Sequence, residues 1–303
     1  MRNQLKLHKK KYLGLYYALA GTFLLSTNFI TAKYALKGFN PETFSLIWTS
    51  AAALYALLII VSKSQTKELR VKTDSRNKII LLGIITGAGM IFTWAGLALL
   101  DPTFQAFLFR FTPVINILFG SILFGEVLRL KEIFPIIVVV FGGLFSSISD
   151  WKVISGGIIL TLLAVLTTSV QLFIGKDRIK TINPGVLVFY RAAIGSVVIF
   201  IWTFSAGKLV IDASLSFWIV LLTGAFLGPT LSFLFLFHSF RYWEFYRTSV
   251  VLTIQPLIVL PLSYMFLDAL PNRSQLLGGL LMMVGVLWLI LIHIRHGKIP
   301  TSP

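Results

Sequence analysis

Residues 14–41 read GLYYALAGTFLLSTNFITAKYALKGFNP, and residues 157–184 read GIILTLLAVLTTSVQLFIGKDRIKTINP. Set 143 residues apart, the two stretches align Gly14 with Gly157, Ser26 with Ser169, Lys33 with Lys176 and Asn40-Pro41 with Asn183-Pro184. The same offset carries Asp101 onto Glu244, Pro113 onto Pro256 and Gly142 onto Gly285. One register running through both halves marks an internal duplication. Each copy holds five apolar runs long enough to cross a hydrocarbon core of about 30 Å. In the first they cover roughly 12–34, 42–62, 78–100, 103–124 and 131–149; in the second, roughly 153–174, 184–205, 215–238, 246–267 and 275–294. Five crossings is an odd number, so the second copy enters the membrane upside down relative to the first.

Composition agrees with a chain that lives in lipid. Apolar residues make up 56% of the 303, charged residues only 13%, and the mean hydropathy is +0.86. A water-soluble domain of this size would expose large apolar patches. Backbone groups in lipid must be satisfied within a segment, so the spans read as helices. The expected fold is an all-α integral membrane protein of ten transmembrane helices, built as two inverted five-helix repeats over residues 1–150 and 151–303. Lys9, Lys10 and Lys11 precede a first span too long for a cleaved signal peptide, which reads as a retained anchor. The chain has no cysteine, so disulfide and thiol chemistry are excluded.

The net charge of +16 follows the topology. With the N-terminus cytoplasmic, 20 Lys and Arg lie on that side, including the cluster from Lys63 to Lys78, against five on the other, Lys33, Lys37, Lys152, Lys208 and Arg273. This asymmetry orients both termini to the cytoplasm of a bacterial-type inner membrane. It names anionic lipid headgroups, rather than nucleic acid, as the partner of the basic loops. A homodimer is left open. No metal-ligand, paired-carboxylate or Ser/His pattern points to an enzyme or a cofactor, since the four histidines fall at span ends or in tails. Inverted repeats are instead a building plan of secondary transporters.

The polar groups within spans are the candidates for solute contact. Arg110, in Phe107-Leu108-Phe109-Arg110-Phe111, sits near mid-span, where a guanidinium costs at least about 2.5–3.5 kcal/mol and must face protein or water. It can clamp a carboxylate or phosphate through two parallel hydrogen bonds, or cap carbonyls freed at a helix break. Asn28, Thr112, Asn116, Gln171 and Gln255 can bind solute or bond between helices, and Trp94 can stack on a ligand or simply pack. Pro113 and Pro256 each free a carbonyl one turn earlier, Phe109 and Leu252, and are candidate hinges; Gly228-Pro229 is a further weak point. His238 is a candidate coupling group near the end of its span. Arg191, about eight residues into its span, reads as a snorkelling or inter-helix residue, and Lys33 and Lys176 as snorkelling anchors. Gly83/Gly87 and Gly224/Gly228 give the third and eighth spans small residues four apart, which lets helices approach closely.

Ser26-Thr27-Asn28-Phe29 with Lys33, Pro113 followed by Gly125-Glu126-Val127-Leu128, and Phe189-Tyr190-Arg191 together resemble the EamA-type ten-helix carriers of the drug/metabolite transporter superfamily. The resemblance covers both copies. It implies export or exchange of small metabolites, often amino acids, through a central cavity lined by the first, third, fourth, sixth, eighth and ninth helices. Three departures stand out. Trp48 occupies the first copy's Arg position, Ala269 occupies the second copy's Glu position with Asp268 one residue early, and Arg110 lies outside the motif. The favoured solute is an amphipathic metabolite bearing a carboxylate. A phosphorylated or nucleotide-like solute is the nearest variant, and a non-transporting scaffold or lipid-binding protein is the rival class. A cavity reaching Arg110 separates carrier from scaffold.

Overall fold

The structure is a computed structural model that describes residues 2–124, 130–146, 151–242 and 245–296. The Gly125-Glu126-Val127-Leu128 signature, Arg129, Asp150 and Glu244 lie outside the described residues. Within them the chain is all-helical. The helices are α1 (Arg2–Ala35), α2 (Pro41–Ser62), α3 (Thr73–Leu99), α4 (Pro102–Leu108), α5 (Thr112–Phe124), α6 (Leu130–Ser146) and α7 (Trp151–Arg178). They continue as α8 (Pro184–Ser205), α9 (Leu215–Ala225), α10 (Phe233–Tyr242), α11 (Phe245–Leu252), α12 (Gln255–Leu267) and α13 (Arg273–His296).

Helix starts follow local chemistry. α2 and α8 open at Pro41 and Pro184, whose missing N–H is no loss in a first turn. Asn40 caps α2 by accepting from Thr43 N at 2.8 Å, and Asn183 caps α8 by accepting from Gly185 N at 2.8 Å. Asp101 caps α4 in the same way, through Thr103 N and Phe104 N.

Eight described segments are long and apolar enough to cross a membrane. The stretch 102–124 is one continuous helical path in three pieces, because the 3-10 turn Phe109–Phe111 divides α4 from α5. Pro113 is the cause. It offers no N–H to the Phe109 carbonyl, which accepts instead from the Thr112 amide and, at 2.7 Å, the Thr112 hydroxyl. Pro256 divides α11 from α12 in the same manner, and Gly228-Pro229 falls in a π-helical turn, Phe226–Ser232, that joins α9 to α10.

Packing repeats with the sequence. α2 lies along α8 and α6 along α13, each pair joining equivalent members of the two copies. α3 packs on α7, and its counterpart α9–α10 packs on α1. Gly83 and Gly87 sit where α3 meets α8, and Gly228 where the α9–α10 segment meets α1. A Cβ on Gly83 would strike Ile194, one on Gly87 would strike Val198, and one on Gly228 would collide with Asn28. Lys33 donates to the carbonyls of Leu97, Ala98 and Leu100 at 2.7, 3.1 and 2.8 Å. It thus caps the C-terminal end of α3, where a cation is favoured, rather than reaching away from the bundle.

Candidate functional site

A cavity of about 120 Å³ lies at the centre of the bundle, room for several waters or a small solute. Its wall is built from α1, α3, the α4–α5 break, α7, α8, α10, α11 and α12. Seven pairs of residues 143 positions apart line it together: Leu25/Thr168, Asn28/Gln171, Phe29/Leu172, Met90/Phe233, Thr93/Leu236, Phe109/Leu252 and Thr112/Gln255. The cavity therefore sits on the relation between the two copies.

The two ends of the bundle differ. Where α1 and α3 finish and α2 and α9 begin, Phe44, Trp48 and Trp94 meet with ring centroids 4.9–5.3 Å apart. Phe39, Leu97, Ala106, Leu221 and Ala225 complete a buried plug there. A loop fastens over it, with Lys208 paired to Glu42 at 2.6 Å and Val210 N donating to Thr43 Oγ1 at 2.9 Å. At the other end Leu82, Ile179, Ile182, Leu187, Phe237 and Phe240 form a second buried cluster. Thr112, Asn116, Thr168 and Ser249 are half-buried, and the cavity reaches the last third of α7 at Gln171 and the first third of α8 at Arg191.

All seven residues that the sequence nominated for solute contact, Arg110, Asn28, Trp94, Thr112, Asn116, Gln171 and Gln255, line this one cavity. Arg110 is 5% exposed. Its guanidinium donates to Ala106 O at 3.2 Å, to Leu252 O, and to Gln255 Oε1 at 2.6 Å. Leu252 O is the carbonyl that Pro256 leaves without an intrahelical donor, so Arg110 ties the proline break of one copy to that of the other. Gln171 Oε1 accepts from the Thr86 hydroxyl at 3.0 Å. Pro113 lines the cavity; Pro256 is buried in the first turn of α12. Gly228 and Pro229 lie behind the wall. His238 stands off it, its ring stacked on Tyr17 at 5.2 Å.

Of the two roles read for Arg191, the inter-helix one holds. It does not snorkel: it is 2% exposed, lines the cavity, and its guanidinium lies 3.4 Å from the centroid of the Phe233 ring. Its Nε and Nη1 have no hydrogen-bond acceptor, and Trp94 Nε1 and Asn116 Oδ1 on the same wall are likewise unpaired. Buried polar groups are normally satisfied, so a wall with these free donor and acceptor atoms is built to meet something polar. Depth along a helix was legible from sequence, but the direction in which Arg191 points was not. The clue available was its pairing, at the 143-residue offset, with the aromatic Trp48.

Among the described residues no group of three or more His, Cys, Asp or Glu is placed to hold a metal ion. Comparison with known proteins agrees with the geometry. The profile of the EamA-like transporter family matches residues 12–148 and again 155–291. The uncharacterized transporter YxxF of Bacillus subtilis (strain 168) is 25% identical over 237 residues, 75% of either chain. A protein of known crystal structure superposes with a TM-score of 0.67 at 14% identity, over 93% of this chain and 98% of its own, which is a likeness of fold. With two profile matches that together span most of its length and a multi-span helical membrane fold around a central cavity, the chain belongs to the EamA-like transporter family.

Proposed function

We propose that this protein is a secondary carrier that exports or exchanges small carboxylate-bearing metabolites, amino acids foremost, across a bacterial-type inner membrane. It works by alternating access between two inverted five-helix repeats, residues 1–150 and 151–303, with both termini cytoplasmic. In this arrangement α4 and α5 form the fourth crossing, α6 the fifth, α9 and α10 the eighth, and α11 and α12 the ninth. The observation that carries the reading is the cavity lined by seven offset-related pairs. Two copies of one unit, facing each other across a solute-sized space, can rock so that each end opens in turn.

Charge asymmetry assigns the end with Phe44, Trp48 and Trp94 to the outside and the end with Arg191 to the cytoplasm. Asn28, Trp94, Thr112, Asn116, Gln171 and Gln255 form the solute path, and Arg110 is its central cation. Pro113 and Pro256, with Gly228-Pro229, are the points at which α4–α5, α11–α12 and α9–α10 flex. A phosphorylated solute would meet the same guanidinium groups. The free amide oxygen of Asn116 favours instead a solute that also carries a hydrogen-bond donor, as an ammonium does. A scaffold has no use for a cavity at its centre.

The test is counterflow of a labelled L-amino-acid panel into proteoliposomes preloaded with the unlabelled compounds. Exchange of one or more members is expected. Well-folded protein that exchanges neither amino acids nor phosphorylated solutes would overturn the carrier reading.

A further inference from the structure

We infer that Arg191, rather than Arg110, is the group that holds the acid of the solute. The inference rests on the carrier reading for its biological sense and on the geometry of the wall for its content. Both arginines line the cavity and both are buried. Arg110 is occupied: it serves three acceptors, two of them backbone carbonyls and one a glutamine oxygen. Arg191 serves none with Nε and Nη1.

Its one defined contact is the face of Phe233. That contact supports a cation without using any N–H, and it leaves the edge of the guanidinium plane free for a planar acceptor. A carboxylate that bridges Nη2 to either Nε or Nη1 takes two parallel hydrogen bonds from that plane. Among the described residues no Asp or Glu lines the cavity, so the acid of the solute supplies a counter-ion. Asn116 Oδ1 supplies an acceptor on the same wall, and Phe29, Phe109 and Leu236 supply apolar surface. The site so built takes a zwitterion: a carboxylate on Arg191, an ammonium on the Asn116 amide oxygen, and an apolar side chain on the aromatic wall.

The experiment separates binding from flux. Purified protein in detergent is heated with L-phenylalanine, with benzoate, which keeps the acid alone, and with phenylalaninamide, which keeps the ammonium alone. L-phenylalanine and benzoate should each raise the melting temperature, and phenylalaninamide should not. Arg191→Gln should weaken that stabilisation by on the order of tenfold to a hundredfold in ligand concentration, and Arg191→Lys by less. Arg191→Gln should also melt at or above the temperature of the unliganded wild type, because it removes an unpaired buried charge, whereas loss of a structural arginine would lower it.

Counterflow of labelled L-phenylalanine then tells the two readings apart. Acid-dependent binding that Arg191→Gln abolishes, without flux in the wild type, upholds the anchor and sinks the carrier. Wild-type affinity for L-phenylalanine retained in Arg191→Gln overturns the anchor and leaves the carrier standing. Stabilisation by phenylalaninamide equal to that by benzoate, or by none of the three, also overturns it.

Discussion

Trp48 and Arg191 occupy one position in two copies of the same unit, and they do opposite things. Trp48 is fully buried, wedged between Phe44 and Trp94 in the plug at one end of the bundle. Arg191, 143 residues later, stands under Phe233 on the wall of the cavity. An inverted duplication by itself yields two equivalent ends and no preference for direction or ligand. A large apolar ring at one of the paired sites closes that end by burial of surface, and a cation at the other leaves a demand for a partner. The two copies thus supply a symmetric scaffold, and single paired positions supply its polarity.

The strongest way to break that contrast is to make both positions arginine. In Trp48→Arg the indole is lost from a site with no exposure, which alone costs about 3–5 kcal/mol. A guanidinium with no acceptor among Phe44 and Trp94 adds several more. Against a total stability of about 5–15 kcal/mol, folded protein should fall steeply, read as loss of the monodisperse peak on size exclusion. Normal yield and melting temperature in Trp48→Arg would mean that water already reaches this end, and the plug would not be one.

Much of this arrangement was legible in the sequence where causes are local. Asn40-Pro41 and Asn183-Pro184 start helices because a side-chain cap and a ring-fixed φ act within one turn. Pro113 and Pro256 break theirs because a missing N–H acts four residues back, and the carbonyls they free were nameable in advance. The donor that takes Leu252 O was not, because Arg110 lies 142 residues away and only packing brings it there. The snorkelling read for Lys33 fails, and the partner of Arg191 was not nameable, for the same reason. Their depth in a span follows from counting, but whether a long side chain turns to the lipid surface, a helix end or a cavity depends on neighbours. Nor does a duplicated sequence announce which end carries the aromatic plug.

A smaller perturbation tests the tie between the copies. Arg110→Met leaves Leu252 O and Gln255 Oε1 without their donor, a loss of about 1–3 kcal/mol. Pro256→Ala restores a backbone N–H one turn beyond Leu252, able to take that carbonyl within its own helix. In the Pro256→Ala background, Arg110→Met should therefore cost less, with a coupling of about 1 kcal/mol in a denaturation cycle. Simple additivity of the two changes, to within about 0.5 kcal/mol, would show that Arg110 does not hold the broken helix of the other copy.

The finest test uses a second paired position, Asn28 and Gln171. Gln171 Oε1 is held by the Thr86 hydroxyl; the residue equivalent to Thr86 in the other copy is Pro229, which has no donor, and Asn28 Oδ1 is left unpaired. The same amide is thus hydrogen-bonded in one copy and, in the other, packed without a donor against Gly228. Thr86→Val should lower stability by about 1 kcal/mol while leaving the concentration dependence of counterflow close to wild type. Asn28→Ala should do the reverse, weakening apparent affinity for the solute whose cavity it lines, with little loss in melting temperature, since no bond made by its oxygen is broken. If instead Thr86→Val moves the affinity and Asn28→Ala the melting temperature, the roles of the paired amides are exchanged. The solute would then bind nearer α3 and α7 than the groups on α1 and α8 indicate.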